Sequence, residues 1–171
     1  MVALPDQAED EALGPPRTLW PRRVEATVPG VSNPTAFPPA VLRGIREFND
    51  RKYYECHETL EAVWREERGP TRAMLHGMIQ IAVGLLHTER ANFRGATSLL
   101  DRAIGKLQGL PPTYHGVDVA SLLADTQRAY ATVLSLGPNG IANFPWDQAP
   151  EIRMFTTEDT EGPEKSENFS R

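Results

Sequence analysis

Two neighbouring stretches of this chain carry polar side chains at one-turn spacing inside otherwise apolar patterns: Tyr53, Tyr54, His57, Glu61 and Trp64 in the first, and His76, Gln80 and His87 in the second. On a helix advancing about 100° per residue, Tyr54, His57, Glu61 and Trp64 share one sector, continued towards Arg68. His76, Gln80, Val83 and His87 likewise share one sector of the second stretch, beside Gly77 and Gly84, which let a neighbour come close. Folding at Gly69 and Pro70 would bring Glu61 level with residues 76–80 and His57 level with residues 80–84, with His87 nearer Tyr53 and Tyr54. Polar groups buried on such a seam without partners are costly, so the pattern marks either a pocket or an internal hydrogen-bond network.

Imidazole and carboxylate one turn apart can ligate zinc, manganese or iron, and the sharpest chemical expectation is a divalent-metal centre with His57, Glu61 and His87 as ligands and Gln80 nearby. The pattern departs from familiar metal motifs. His57-Glu58-x-x-Glu61 ends in a carboxylate where zinc proteases have a second histidine, and the Glu-x-x-His pair of di-iron bundles does not occur. The competing expectation is a satisfied network, with His57 bonded to Gln80 and Glu61 to His76, Arg68 or a tyrosine hydroxyl, and the residue pattern favours it. Tyr54 and Trp64 would wall a ligand pocket, or simply pack. Glu58 is either a base beside a metal or a solvated neighbour of Lys52 or Arg65. Cys56 points about 100° away from His57, so the two make no nucleophile and base pair, and a packed thiol is expected. Ser98 and Ser121 lack a G-x-S-x-G turn, and no phosphate-binding loop or dinucleotide fingerprint is present.

The elements that must position these residues read as helices. Pro38 and Pro39 open a first, with Val41, Leu42, Ile45 and Phe48 on its apolar stripe. A second runs from about Lys52 to Arg68. The third, about Thr71 to Arg90, is apolar around most of its circumference and is therefore central, with Met78, Ile81, Ala82 and Leu85 expected to be inaccessible. After a turn at Asn92, Ala96, Leu99, Leu100, Ala103, Ile104 and Leu107 define an amphipathic fourth helix that ends near Gly109. Asp118 caps a fifth that stops at Gly137 and Pro138. No stretch alternates as a strand does. The expected fold is all-α, a compact bundle of about five helices around a central helical hairpin.

Residues 48–66, followed by residues 76–100 and then 114–123, resemble a family of small bacterial and archaeal helical proteins catalogued as domain of unknown function 309. The resemblance covers roughly Val41 to Leu136. It is carried by Phe48-Asn49, Tyr54, His57-Glu58, Glu61, Trp64, Gly77, Gln80, His87, Gly95-Ala96 and Gly116-x-Asp118. It implies an all-helical bundle with a recurrent polar centre at His57, Glu61 and Gln80 to His87, and it supplies no reaction.

Charge and composition bound the rest. Residues 1–39 carry 5 acidic and 3 basic groups, residues 40–154 carry 13 and 13, and residues 155–171 carry 5 and 2, so the net charge of -5 belongs to the ends. A neutral body gives no basic surface for nucleic acid. Eight of the 15 prolines fall in the first 39 residues, which makes residues 1–38 an extended arm whose Leu19, Trp20 and Val24 are candidates for docking. Residues 39–154 form the helical domain, and residues 155–171, with Glu158, Asp159, Glu161, Glu164 and Glu167, are expected to be a disordered acidic tail. A single cysteine, no readable secretory signal and no membrane-length apolar run make a reducing cytoplasm the default compartment. The function expected is a small-ligand or protein-binding module with Tyr54, His57, Glu61, Trp64, Gln80 and His87 lining the site, self-association being left open. The alternative is a metal-dependent enzyme, hydrolytic in character, using His57 and Glu61 as ligands.

Overall fold

Pro38 and Pro39 fix the backbone at the start of a helix whose first N–H groups need no partner, and α1 runs Pro39–Asn49 in a computed structural model that describes residues 37–155. The arm's Leu19, Trp20 and Val24 and the tail's acidic residues lie outside the described residues. Four further helices follow: α2 Tyr53–Trp64, α3 Gly69–Glu89, α4 Phe93–Leu107 and α5 Val119–Gly140. Two short 3₁₀ turns, Ile141–Asn143 and Trp146–Gln148, close the order.

Each helix ends for a local reason. The second stops at Trp64, earlier than its sequence pattern, and tightens into a last turn in which Glu66 N donates to Val63 O and Glu67 N to Trp64 O. Gly69, at φ 67°, then supplies the left-handed residue that starts α3. Asn92 caps α4 by accepting from Gly95 N at 3.0 Å, and Asp118 caps α5 by accepting from Ser121 N at 2.9 Å. The regular path of α5 breaks at Gly137 (φ 66°), and one more turn begins at Pro138.

The helices pack as consecutive neighbours, α1 on α2, α2 on α3, α3 on α4 and α4 on α5. The core centres on α3, where Met78, Ile81, Ala82 and Leu85 are each 0 % exposed. Gly77 and Gly84 face α4, closing on Leu107 and Leu100. One element departs from the all-helical expectation. Thr113–Tyr114 (β1) and Val117–Asp118 (β2) pair antiparallel across a two-residue turn, with His115 at φ 48° and Gly116 at φ 80°, the backbone of a type I′ hairpin. Met154 bridges to Val117, and Asp125 on α5 pairs with Arg128 and with Arg153 at 3.4 Å, so the last described residues are tied back onto the domain.

Cys56 is 0 % exposed, and burial pushes its thiol pKa up to about 12. It is expected to resist iodoacetamide at pH 8 in the native protein and to react fully in denaturant, with mass spectrometry as readout. Rapid native alkylation would show that α2 opens locally.

Candidate functional site

Along α2 the polar row sits at the border between core and water. Tyr53 and Leu60 turn inward, Tyr54 is 43 % exposed, and the His57 and Glu61 side chains keep 20 % and 17 % of their surface. The residues of this row are held largely by partners one turn away. Tyr54 donates its hydroxyl to Glu58 Oε1 at 2.8 Å, and that bond and the carboxylate's charge raise the phenol pKa. His57 Nε2 meets Glu61 Oε2 at 3.0 Å, while Arg65 Nη2 donates to Glu61 Oε1 at 2.7 Å. The Glu61 carboxylate is thus shared between an imidazole and a guanidinium, which orients it more than it stabilises the fold, because i,i+4 pairs in contact with water contribute at most about 1 kcal/mol.

Trp64 is where the two helices of the hairpin meet. Its ring lies 4.9 Å from the His76 ring, centroid to centroid, and the Arg72 guanidinium carbon stands 4.0 Å over it. Arg72 Nη1 also donates to Trp64 O at 2.7 Å and to Glu67 O at 3.3 Å, adding to the hydrogen bonds those carbonyls accept at the end of α2. The contact of Trp64 with His76 joins α2 to α3 near their connection.

Gln80 is 5 % exposed and donates from Nε2 to His76 Nε2 at 3.3 Å, leaving that ring's proton on Nδ1. Two buried polar atoms beside His76 have no hydrogen-bond partner, Trp64 Nε1 and Gln80 Oε1. A buried group left in that state costs about 1–3 kcal/mol, which a fold tolerates where the group has another use.

The sequence reading is thereby redrawn. His57 and Glu61 come together as expected, but no hydrogen bond joins His57 to Gln80 among the described residues. Each has a partner one turn along its own helix. His87 also stands apart. Its Nδ1 accepts from Asn92 Nδ2 at 3.0 Å, and Gly95 lies so close that a Cβ there would stand 2.8 Å from the imidazole. The expected metal triplet of His57, Glu61 and His87 is not assembled: among the described residues, no three His, Cys, Asp or Glu side chains gather as a ligand set. Arg65, Arg72 and His76 are the site residues that the pattern underweighted. Arg72 carried a signal, a guanidinium in the first turn of α3 positioned to reach back over the connection.

The His87 arrangement has a pH consequence. Asn92 must present its oxygen to Gly95 N, so its amide nitrogen faces His87 and the imidazole can only accept. Burial, reinforced by Arg90, holds the His87 pKa below its ordinary value. A depressed pKa in the folded state means that unfolding takes up a proton on acidification. The stabilisation is complete above the unfolded-state value of about 6.5 and is lost as pH falls through the folded one. Urea denaturation at pH 7.5 and pH 5 is therefore expected to show a larger loss for the wild type than for His87→Gln, which stays neutral. Equal losses would remove His87 from the account.

A separate cavity of about 30 Å³, room for about one or two waters, lies at the other end of α2 among Phe48, Asn49, Arg51, Tyr53 and Trp146. Tyr53 lines it, but Tyr54, His57, Glu61 and Trp64 do not. Burial there pushes the Tyr53 pKa up to about 12.

With this geometry in view, residues 41–99 match the family model described as domain of unknown function (DUF309). That match spans α1, α2, α3 and the start of α4, and so includes every residue of the polar row. Uncharacterized protein YpuF of Bacillus subtilis (strain 168) is 36 % identical over 101 residues, 57 % of this chain and 58 % of that protein. The chain thus spans somewhat over half the length of that curated relative. No helix among the described residues is long and apolar enough to cross a membrane.

Proposed function

We propose that this chain, whose residues 41–99 match the DUF309 family model, is a protein-binding module whose α2–α3 seam docks a segment of another protein. The observation that carries this reading is the preorganised row on α2. Tyr54 stands exposed and His57, Glu61 and Trp64 partly buried at the surface, each with a partner within a turn or across the connection. Side chains already held in place lose little freedom on binding, and aromatic residues with arginine close by are the composition that concentrates binding energy at interfaces.

A metal-dependent hydrolytic role draws less support, since His57 and Glu61 have no third acidic, thiol or imidazole ligand gathered beside them among the described residues. Stoichiometric zinc, manganese or iron in protein purified without a histidine tag, lost in Glu61→Ala, would overturn the preference. The docking reading is tested by panning a displayed peptide library over the full chain and over a Tyr54→Ala/Glu61→Ala double variant. Sequences enriched on the wild type and lost on the double variant are expected. No enrichment, or the same sequences from both, would refute it.

A further inference from the structure

Four sulfur-bearing side chains fall among the described residues, and three of them are closed to water. Met74, Met78 and Cys56 are each 0 % exposed, whereas Met154 is 36 % exposed. Burial also keeps the Cys56 thiol protonated, and thiols react with peroxides through the thiolate. An oxidant in solution therefore meets Met154 before any other described sulfur. Met154 also stands where a change of polarity matters. It lies opposite Val117 of β2, flanked by the bonds from Asp118 N to Arg153 O at 3.0 Å and from Phe155 N to Gly116 O at 2.7 Å. That pattern makes Val117 and Met154 a non-hydrogen-bonded antiparallel pair, the kind whose side chains share a face and come closest. Val117 is 0 % exposed, and the Met154 methyl reaches Gly116, where a Cβ would stand 3.7 Å from it. Residues 153–155 thus lie along the edge of β2 that β1 leaves open, anchored just upstream by the bonds of Asn49 to Ile152 O and N.

We propose that Met154 is a peroxide-sensitive modification site, and that its sulfoxide loosens residues 153–155 from β2. A lone pair of the thioether sulfur forms an S–O bond to hydrogen peroxide as the O–O bond breaks. The sulfur is oxidised, the peroxide is reduced, and its second oxygen leaves as water. An apolar side chain becomes a polar one, and a polar group beside buried Val117 favours water over pairing. The Asn49 bonds to Ile152 are untouched, so the opening begins after that residue. Methionine sulfoxide reductases reverse the step, which makes it a switch and not a permanent lesion. Met154 lies outside the α2–α3 seam, so the docking reading stands or falls separately.

The test treats the full chain, labelled with ¹⁵N, with hydrogen peroxide, maps oxidation by peptide mass spectrometry and follows amide hydrogen exchange by NMR. Met154 is expected to oxidise about tenfold or more faster than Met74 and Met78, which react only when the core opens. In the oxidised protein the Asp118 and Phe155 amides, whose bonds flank Met154, should exchange about fivefold or more faster. The Ile152 amide, held by Asn49, is the internal reference. Peroxide-treated Met154→Leu should keep the exchange rates of untreated protein. Oxidation of Met74 or Met78 at a comparable rate, unchanged exchange at both amides, or the same acceleration in the leucine variant overturns the proposal. The comparison of treated with untreated wild type decides it even where the leucine variant fails to fold.

Discussion

An Asn49→Ala variant is expected to lose about 2–4 kcal/mol of stability, because one side chain makes both ends of a long-range clamp. Asn49 Nδ2 donates to Ile152 O at 2.9 Å, and Ile152 N donates back to Asn49 Oδ1 at 2.9 Å, joining the end of α1 to a residue 103 positions later. Ile152 is 2 % exposed, so alanine leaves a backbone donor and acceptor with restricted access to water. Urea unfolding followed by circular dichroism measures the loss. Asn49→Asp separates the two bonds, since it retains the acceptor and removes the donor, and it should fall between wild type and alanine. A loss below about 0.5 kcal/mol for the alanine variant would mean that Ile152 finds other partners.

Gly84→Val is the second large effect, with a cost of about 2–3 kcal/mol or more from overpacking. A Cβ at Gly84 would stand 3.0 Å from Leu100 Cγ and 3.5 Å from the Leu100 backbone nitrogen, and Leu100 is 0 % exposed. The backbone of α4 cannot yield without separating the α3–α4 pair, which is the most extensive helix contact in the fold. Gly105, also helical but with nothing within 4 Å of its Cβ position, supplies the control. Gly105→Ala should stabilise by about 0.5–1 kcal/mol through helix propensity alone. Opposite signs at the two glycines, read from thermal melts, would establish that contact with α4 governs the first.

These two cases show why part of the molecule was legible in its sequence. The third stretch lacked a solvated face, which forced it to the centre, and Gly77 and Gly84 marked a close neighbour, though not which one. The partner is α4. Asn92 and Asp118 signalled caps because each stands before an amphipathic run and must satisfy free N–H groups. The hairpin at His115 and Gly116 was hidden by the brevity of its strands, two residues each, too short to show alternation. The clamp from Asn49 to Ile152 depends on a contact spanning 103 positions, on which local periodicity is silent.

The polar residues were misread in their bonding. Spacing put His57, Glu61, Trp64 and Gln80 on the facing sides of one hairpin, but it could not choose between a partner one turn away and one across the seam. His57 has Glu61 at 3.0 Å on its own helix, and Gln80 has His76. His87 was drawn into the expected metal set by its phase on α3, whereas the turn gives it a different partner, the α4 cap residue Asn92. The orphaned atoms of Trp64 and Gln80 needed coordinates to be seen at all, since unmet hydrogen bonds are a property of surroundings and not of residue type.

The claim that the α2–α3 seam is the docking surface is tested most directly by calorimetric titration of a library-selected peptide into single variants. Glu61→Ala should remain folded, with stability lowered by at most about 1 kcal/mol because its partners stay in contact with water, and should weaken binding about tenfold or more. Leu134→Ala, which removes a side chain 47 % exposed on α5, should leave the affinity unchanged. Binding insensitive to Glu61→Ala but lost in Leu134→Ala would contradict the account and move the functional surface to α5.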